Sequence, residues 1–130
     1  MWLYDGKPFS EDMIGDFVGF VYVIINEANG RSYVGKKNFT KSKTFQKNKK
    51  KKRTRVSSDW ESYTGSSDAL NADIEKGHKV SKIILHLCTS KGRMSYLETK
   101  EIIIRDAILK ENYYNVWFSC RVRKSHLKGS

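Results

Sequence analysis

The chain has 130 residues, of which 38% are hydrophobic and 12% aromatic, with two cysteines and a formal net charge of +11. A chain of this length can bury a core without disulfide or metal staples, and its apolar content argues against disorder. No run approaches the roughly 18 apolar residues of a membrane span. The start MWLYDGKPFSEDM lacks the basic-then-apolar pattern of a secretory leader, so a cytoplasmic protein is expected.

Residues 1–17 read as a lead-in to one domain over 18–117, with Ser10-Glu11-Asp12 opening a short helix. The stretch GFVYVIINEANGRSYVGKK then predicts a β-hairpin with arms at 18–26 and 32–37. Asn29-Gly30 marks the turn, because both residue types tolerate the positive φ of a type I′ turn. The first arm is apolar on both faces, Phe20, Tyr22 and Ile24 on one and Val21, Val23 and Ile25 on the other. That pattern predicts a central, buried strand. Tyr22 and Tyr33 fall one on each arm; taken alone they are as readily ordinary strand tyrosines as site residues.

The charge is concentrated rather than spread. From Lys36 to Arg55 there are nine lysines, two arginines and no acid, which leaves the rest of the chain close to neutral. Such a segment repels itself, and a basic loop is expected at 40–58. A stripe of this kind is the usual footprint of a polyanion binder. Lys37, Lys41, Lys43, Lys47, Lys49, Lys50, Lys51 and Lys52 are therefore candidates for phosphate contacts, which supply affinity rather than sequence choice. The bland alternative is a solvated loop that only aids solubility.

Beyond the loop, Trp60 and Tyr63 suit aromatic anchors onto the core. Ser66 or Ser67 can cap a helix over 68–76 with Gly77 as its stop. VSKIILHLC at 80–88 reads as a third strand, and Ser90 precedes a long helix over 93–110. On that helix Leu97, Ile104 and Ile108 share a face, while Glu98 lies on a neighbouring line with Ile102 and Leu109, and Glu101 lies between. A carboxylate inside an apolar arc is costly unless it is paired, protonated or metal-bound. Glu101 has Arg105 four residues on, a favourable helix pair. Glu98 has no cation at helical offsets, so an ion pair from elsewhere and a metal both remain open. Residues 113–123 read as extended and 118–130 as a tail. Cys88 and Cys120 suit buried free thiols, and with His78, His86 and His126 they make no zinc spacing. The order of elements suits an α+β fold: a small, mainly antiparallel three-stranded sheet opening with a β-hairpin and flanked by helices.

These elements, in this order, resemble the GIY-YIG nuclease family and its small phage-encoded, homing-type members. Phe20-Val21-Tyr22 and Tyr33-Val34-Gly35 resemble the two halves of the signature, with Phe20 in place of the first glycine. Lys36 stands where relatives often carry a basic residue. YLETK, Tyr96 to Lys100, is similar to the helix that supplies the family's metal-binding glutamate, here Glu98. Tyr113-Tyr114-Asn115 is similar to its terminal asparagine element, and WESYTGSSDAL to a segment of the phage subgroup. The family usually places an arginine shortly after the second glycine. This chain has Lys43 there and Arg53 and Arg55 further on, so the catalytic cation stays open among Lys36, Lys43, Arg53 and Arg55.

The resemblance implies a metal-dependent endonuclease that hydrolyses phosphodiester bonds of double-stranded DNA. Glu98 would hold Mg2+ or another divalent ion such as Mn2+, a hard cation suited to carboxylate oxygen. Tyr33, with Tyr22, would position or deprotonate the attacking water. A free tyrosine has a pKa of about 10, so deprotonation would need a nearby cation. Asn115 would orient a neighbour or contact phosphate. One site per chain cuts one strand, so double-strand cleavage would take a homodimer or two encounters. The competing readings are a non-catalytic nucleic-acid-binding module with a degenerate site, and a basic protein that binds an acidic host protein.

Overall fold

The computed structural model describes residues 1–47 and 50–127, with the backbone alone described for 43–47 and 50–53. In chain order the strands are β1 (Trp2–Tyr4), β2 (Lys7–Pro8), β3 (Gly19–Asn26), β4 (Ser32–Asn38), β5 (Thr40–Lys47), β6 (Lys50–Ser57) and β7 (Val80–Cys88); the helices are α1 (Asp68–Glu75), α2 (Lys91–Ile104) and α3 (Lys124–Leu127). β3 is apolar on both faces and takes the central place expected of it, antiparallel to β4 on one side and to β7 on the other. Phe20, Tyr22 and Ile24 pack against Trp2, Phe39, Trp60 and Leu70. Val21 and Val23 pack with Val34 against Met94 and Ile102 of α2. The sheet is thus sandwiched between an aromatic layer bearing α1 and a smaller aliphatic layer under α2.

The α+β class holds, but the main sheet has five strands in the order β2-β1-β7-β3-β4, not three. It is mixed, because β1 runs parallel to β7. The two further strands come from the lead-in. Asp5 and Gly6 both have positive φ, 51° and 77°, and Asp-Gly is as strong a hairpin signal as Asn-Gly. The turn lets Trp2 pack edge-on against Phe20 and Tyr22, at 4.9 and 5.1 Å. At the other hairpin only Gly30 has positive φ, so its turn is not type I′. The loop 27–31 is instead closed by Gly30 N donating to Asn26 O (2.8 Å) and by asparagine side chains. Asn26 Oδ1 accepts from Ala28 N and Asn29 Oδ1 from Arg31 N, both at 2.9 Å.

The basic segment expected as a loop is an antiparallel hairpin, β5 with β6, apart from the main sheet. Its register explains how so much charge tolerates strand pairing. From Thr40↔Ser57 to Gln46↔Lys51 every cation stands opposite a neutral residue, and only Lys47↔Lys50 sets two cations directly across from one another.

α2 ends at Ile104 rather than near 110, because Arg105 caps it and Asp106 turns left-handed (φ 51°). Its buried line is Met94 to Ile102, with Leu97 partly covered, whereas Ile104 is 65% exposed. The inward face is therefore rotated from the one expected, toward Glu98 and Glu101. Beyond it, residues 112–114 run beside β4: Ser32 N donates to Asn112 O (2.9 Å) and Tyr114 N to Ser32 O (2.7 Å). Cys88 is a buried free thiol as expected, whereas Cys120 is exposed, because residues 116–121 run along the surface. Among the described residues no helix is long and apolar enough to cross a membrane.

Candidate active site

β4 is the outer strand of the main sheet, and the site is built around its edge. Side chains alternate along a strand, so Tyr33 and Lys36 leave β4 on opposite faces. Tyr33 joins Tyr22 on the aromatic side, ring centroids 6.3 Å apart. Lys36 reaches α2, where Nζ donates to Ser95 Oγ (2.7 Å), one turn before Glu98. Asn115 sits at the edge itself and is buried. Its Nδ2 donates to Val34 O (2.9 Å) and its Oδ1 accepts from Val34 N (3.0 Å). A carboxamide carries the same donor–acceptor pair as a peptide, so Asn115 continues the ladder that the backbone of 112–114 begins. Tyr33, Lys36, Glu98 and Asn115 all line one cleft of about 640 Å³, with Ser66, Asp68, Trp117 and Phe118 around it.

Tyr22 does not line that cleft; it is 1% exposed and supports the cleft from beneath. It stands opposite Gly35 in the register. A Cβ on Gly35 would lie 2.4 Å from Tyr22 Oη and 2.6 Å from Cζ. Gly65, at φ +84°, would meet Tyr33 Cδ2 at 3.2 Å and Tyr22 Oη at 3.4 Å. The glycine of Tyr33-Val34-Gly35 thus has a steric cause: the Tyr22 hydroxyl rests on its backbone.

Electrostatics separate Glu101 from Tyr22, Tyr33 and Glu98. Burial holds the Tyr22 hydroxyl far above the ordinary phenol range, with the neighbouring Tyr63 and Tyr33 adding to the effect. Burial also raises Tyr33; its hydrogen bond with Ser66 Oγ (2.9 Å) opposes the shift, while the Glu98 charge adds to it. Burial raises Glu98 as well, and Lys36 only partly offsets this. Glu101 behaves differently. Burial would raise it, but hydrogen bonds from His86 (2.9 Å) and Arg105 (3.0 Å) outweigh that and hold its carboxyl low. Glu101 is a structural ion pair, as its spacing to Arg105 suggests, and Glu98 is the carboxylate that faces the cleft.

The cations sort as clearly. Lys36 lines the cleft. Arg55 does not; it donates to Thr40 and Ser42 across the β5–β6 hairpin, between 2.7 and 3.1 Å. Lys37 pairs with Asp59 at 2.7 Å, and Lys41 is exposed. The side chains of Lys43, Lys47, Lys50, Lys51, Lys52 and Arg53, and all of Lys49, lie outside the described residues.

Ser66 is a partner the sequence pattern did not single out. Ser67 performs the capping, its side chain accepting from Leu70 N (3.2 Å), and the serine before it is left to Tyr33. The doublet itself, two hydroxyls where a cap needs one, was the available signal.

Among the described residues no three His, Cys, Asp or Glu gather around a point that could hold a metal. Glu98 nevertheless suits one. No hydrogen bond or salt bridge engages it among the described residues, and its raised pKa reports a partly buried charge without adequate compensation. A single carboxylate with waters and substrate phosphate is a sufficient donor set for Mg2+.

A family model described as "Putative endonuclease segE, GIY-YIG domain" matches residues 2–118. No curated protein and no solved structure matches the chain.

Proposed function

We propose that this chain, which belongs to the segE-type GIY-YIG endonuclease family, hydrolyses DNA phosphodiester bonds with the help of a divalent cation at Glu98. One observation carries the reading: Tyr33, Lys36 and Glu98 reach a single cleft from both faces of the sheet, and among the described residues no hydrogen bond or salt bridge engages the Glu98 carboxylate, whose charge Lys36 only partly offsets. A module that only bound nucleic acid would gain nothing from a half-buried carboxylate beside phosphate, which it would repel. The catalytic unit is taken as residues 18–117, with 1–17 as its supporting lead-in and 118–130 as a tail.

The roles follow from the surroundings. Tyr33 carries its proton at neutral pH, because burial and Glu98 both favour the neutral phenol. Its hydroxyl, oriented by Ser66, is suited to hold the attacking water in line with phosphorus. Tyr22 fixes the ring of Tyr33 by packing and stays out of proton transfer. Lys36 is the cation that can sit against the phosphoryl oxygens as charge builds there. Arg55 lies outside the cleft and is not needed for that step. Asn115 is a positioning residue that holds Val34, and with it the neighbouring Tyr33, at the edge of the sheet. A divalent ion held by Glu98 supplies Lewis-acid stabilisation of the phosphate and its leaving oxygen when bound. Double-stranded DNA is the proposed substrate, and cutting both strands would require a dimer or two encounters. Incubation of supercoiled plasmid with the protein, with and without Mg2+ or Mn2+, tests the reading. Divalent-dependent nicking or linearisation is expected. Tight binding with no cleavage under either ion would leave the degenerate-site alternative.

A further inference from the structure

Beside the cleft, and sharing Lys36 with it, lies a second recess of about 600 Å³. It is walled by the end of β4, the β5–β6 hairpin and the first turn of α2. Among the described residues Lys36, Lys37, Lys41, Arg55 and Lys91 line it, and no carboxylate does. Lys37 has Asp59 as its counterion. The other four make no salt bridge among the described residues. Two of them are nevertheless held in place, by neutral oxygens: Arg55 by Thr40 and Ser42, Lys36 by Ser95. Hydroxyls orient a cation without cancelling its charge. Like charges gathered around one hollow repel one another, and an anion relieves that repulsion.

We propose that this recess is a second phosphate subsite, taking a backbone phosphate of the same DNA strand whose scissile phosphate lies at Tyr33 and Glu98. The proposal rests on the endonuclease reading for the identity of the strand, though not for the binding of an anion. Lys36 is the wall common to both hollows and contacts both phosphates. Arg55 and Lys91 anchor the flanking one. Such a subsite reads no bases; it sets the register of the strand over the cleft.

The test uses the full chain in chelator, where nothing is cut, and follows the binding of a fluorescent duplex across a salt series. Lys91→Gln and Arg55→Gln should each weaken binding about threefold to tenfold and take about 0.9 off the salt slope. Lys110→Gln, which removes an exposed charge outside the recess, should do less on both counts. A second arm scans the duplex with single neutral methylphosphonates. The wild type should lose affinity at one position beside the cleavage point, or beside the centre of its footprint, and neither recess variant should lose anything further there. Equal losses from Lys110→Gln, or a methylphosphonate penalty that survives in both recess variants, would overturn the subsite. Titration with inorganic phosphate, followed on the Arg55 Nε–H resonance, separates the sources. A shift with phosphate, together with duplex binding indifferent to Arg55 and Lys91, would make the recess a free-anion site and end the proposal. Should the wild type cut no DNA with any divalent ion, the endonuclease reading fails, while these binding measurements still decide the recess.

Discussion

Two hairpins follow one another in this chain and are built on opposite principles. In β3–β4 almost every side chain of the first strand is buried, and the pairing is locked by shape, with a tyrosine hydroxyl set against a glycine. In β5–β6 the described residues pair with each other and carry charge, and the register works by keeping cations opposite neutral partners. The first fixes side chains in close contact; the second fixes a field. Chemistry at phosphorus needs the former, and attraction to a polyanion needs only the latter. Substitutions should therefore separate cleanly into those that change cleavage and those that change affinity.

The largest effect is expected from Glu98→Ala, which should lower cleavage about a thousandfold or more while duplex binding in chelator stays near normal. Glu101→Ala on the same helix should leave turnover intact; if it is the variant that abolishes cutting, the division drawn between the two glutamates is wrong. Next, Tyr33→Phe should reduce cleavage about a hundredfold without unfolding the chain. Wild-type turnover there would place the first hairpin outside the chemistry altogether. Gly35→Ala should cost about 1–3 kcal/mol of stability, read as a lowered Tm, because the new Cβ meets a buried tyrosine with no room to retreat. A similar substitution at a turn glycine such as Gly77 tests only backbone strain, since nothing lies within 4 Å of its Cβ. Replacing Lys49, Lys50, Lys51 and Lys52 with glutamine should leave cleavage of bound DNA alone. It should flatten the salt dependence of binding by up to about 0.9 for each phosphate no longer neutralised. A change in turnover at saturating DNA would break the contrast between the hairpins. The smallest effect concerns acid stability. Glu101 is held low in the folded state, so its stabilisation is full above its ordinary value of 4.5 and is lost as pH falls through the depressed folded value. Glu101→Gln should cost about 1 kcal/mol near neutrality and make the stability profile flatter below pH 4.5.

Much of the first hairpin was legible because it obeys strong local rules. An unbroken apolar run made β3 central, and the Ser66-Ser67 doublet, Gly77 and Ser90 marked the helix ends as caps and stops. What escaped prediction depended on partners distant in sequence. Trp2–Tyr4 is too short to announce a strand, and its place beside β7 is set by Trp2 burying against β3. Asp5-Gly6 was nevertheless a readable signal, stronger in outcome than Asn29-Gly30, whose turn took another form. The basic segment looked like a loop because charge counts ignore register; in its first arm Thr40, Ser42 and Thr44 alternate with Lys41, Lys43 and Phe45, and in the second arm the neutral partners are set by register alone. Of the proposed site, Tyr33, Lys36, Glu98 and Asn115 were reachable from their spacing and the family likeness. Ser66 was signalled only by the serine doublet, since its bond joins it to Tyr33, 33 residues away in the chain.

Tryptophan placement gives the molecule a built-in optical readout. Trp2 and Trp60 are each 1% exposed, whereas Trp117 is 73% exposed at the rim of the cleft. Two indoles therefore emit from an apolar interior and one from water, and a neutral quencher such as acrylamide reaches the third far more readily than the other two. If a strand enters the cleft as proposed, it should shield that red-edge emission, while loss of the blue component reports melting of the aromatic layer. Occupancy and integrity can thus be followed in one sample, in the native protein, with no label attached.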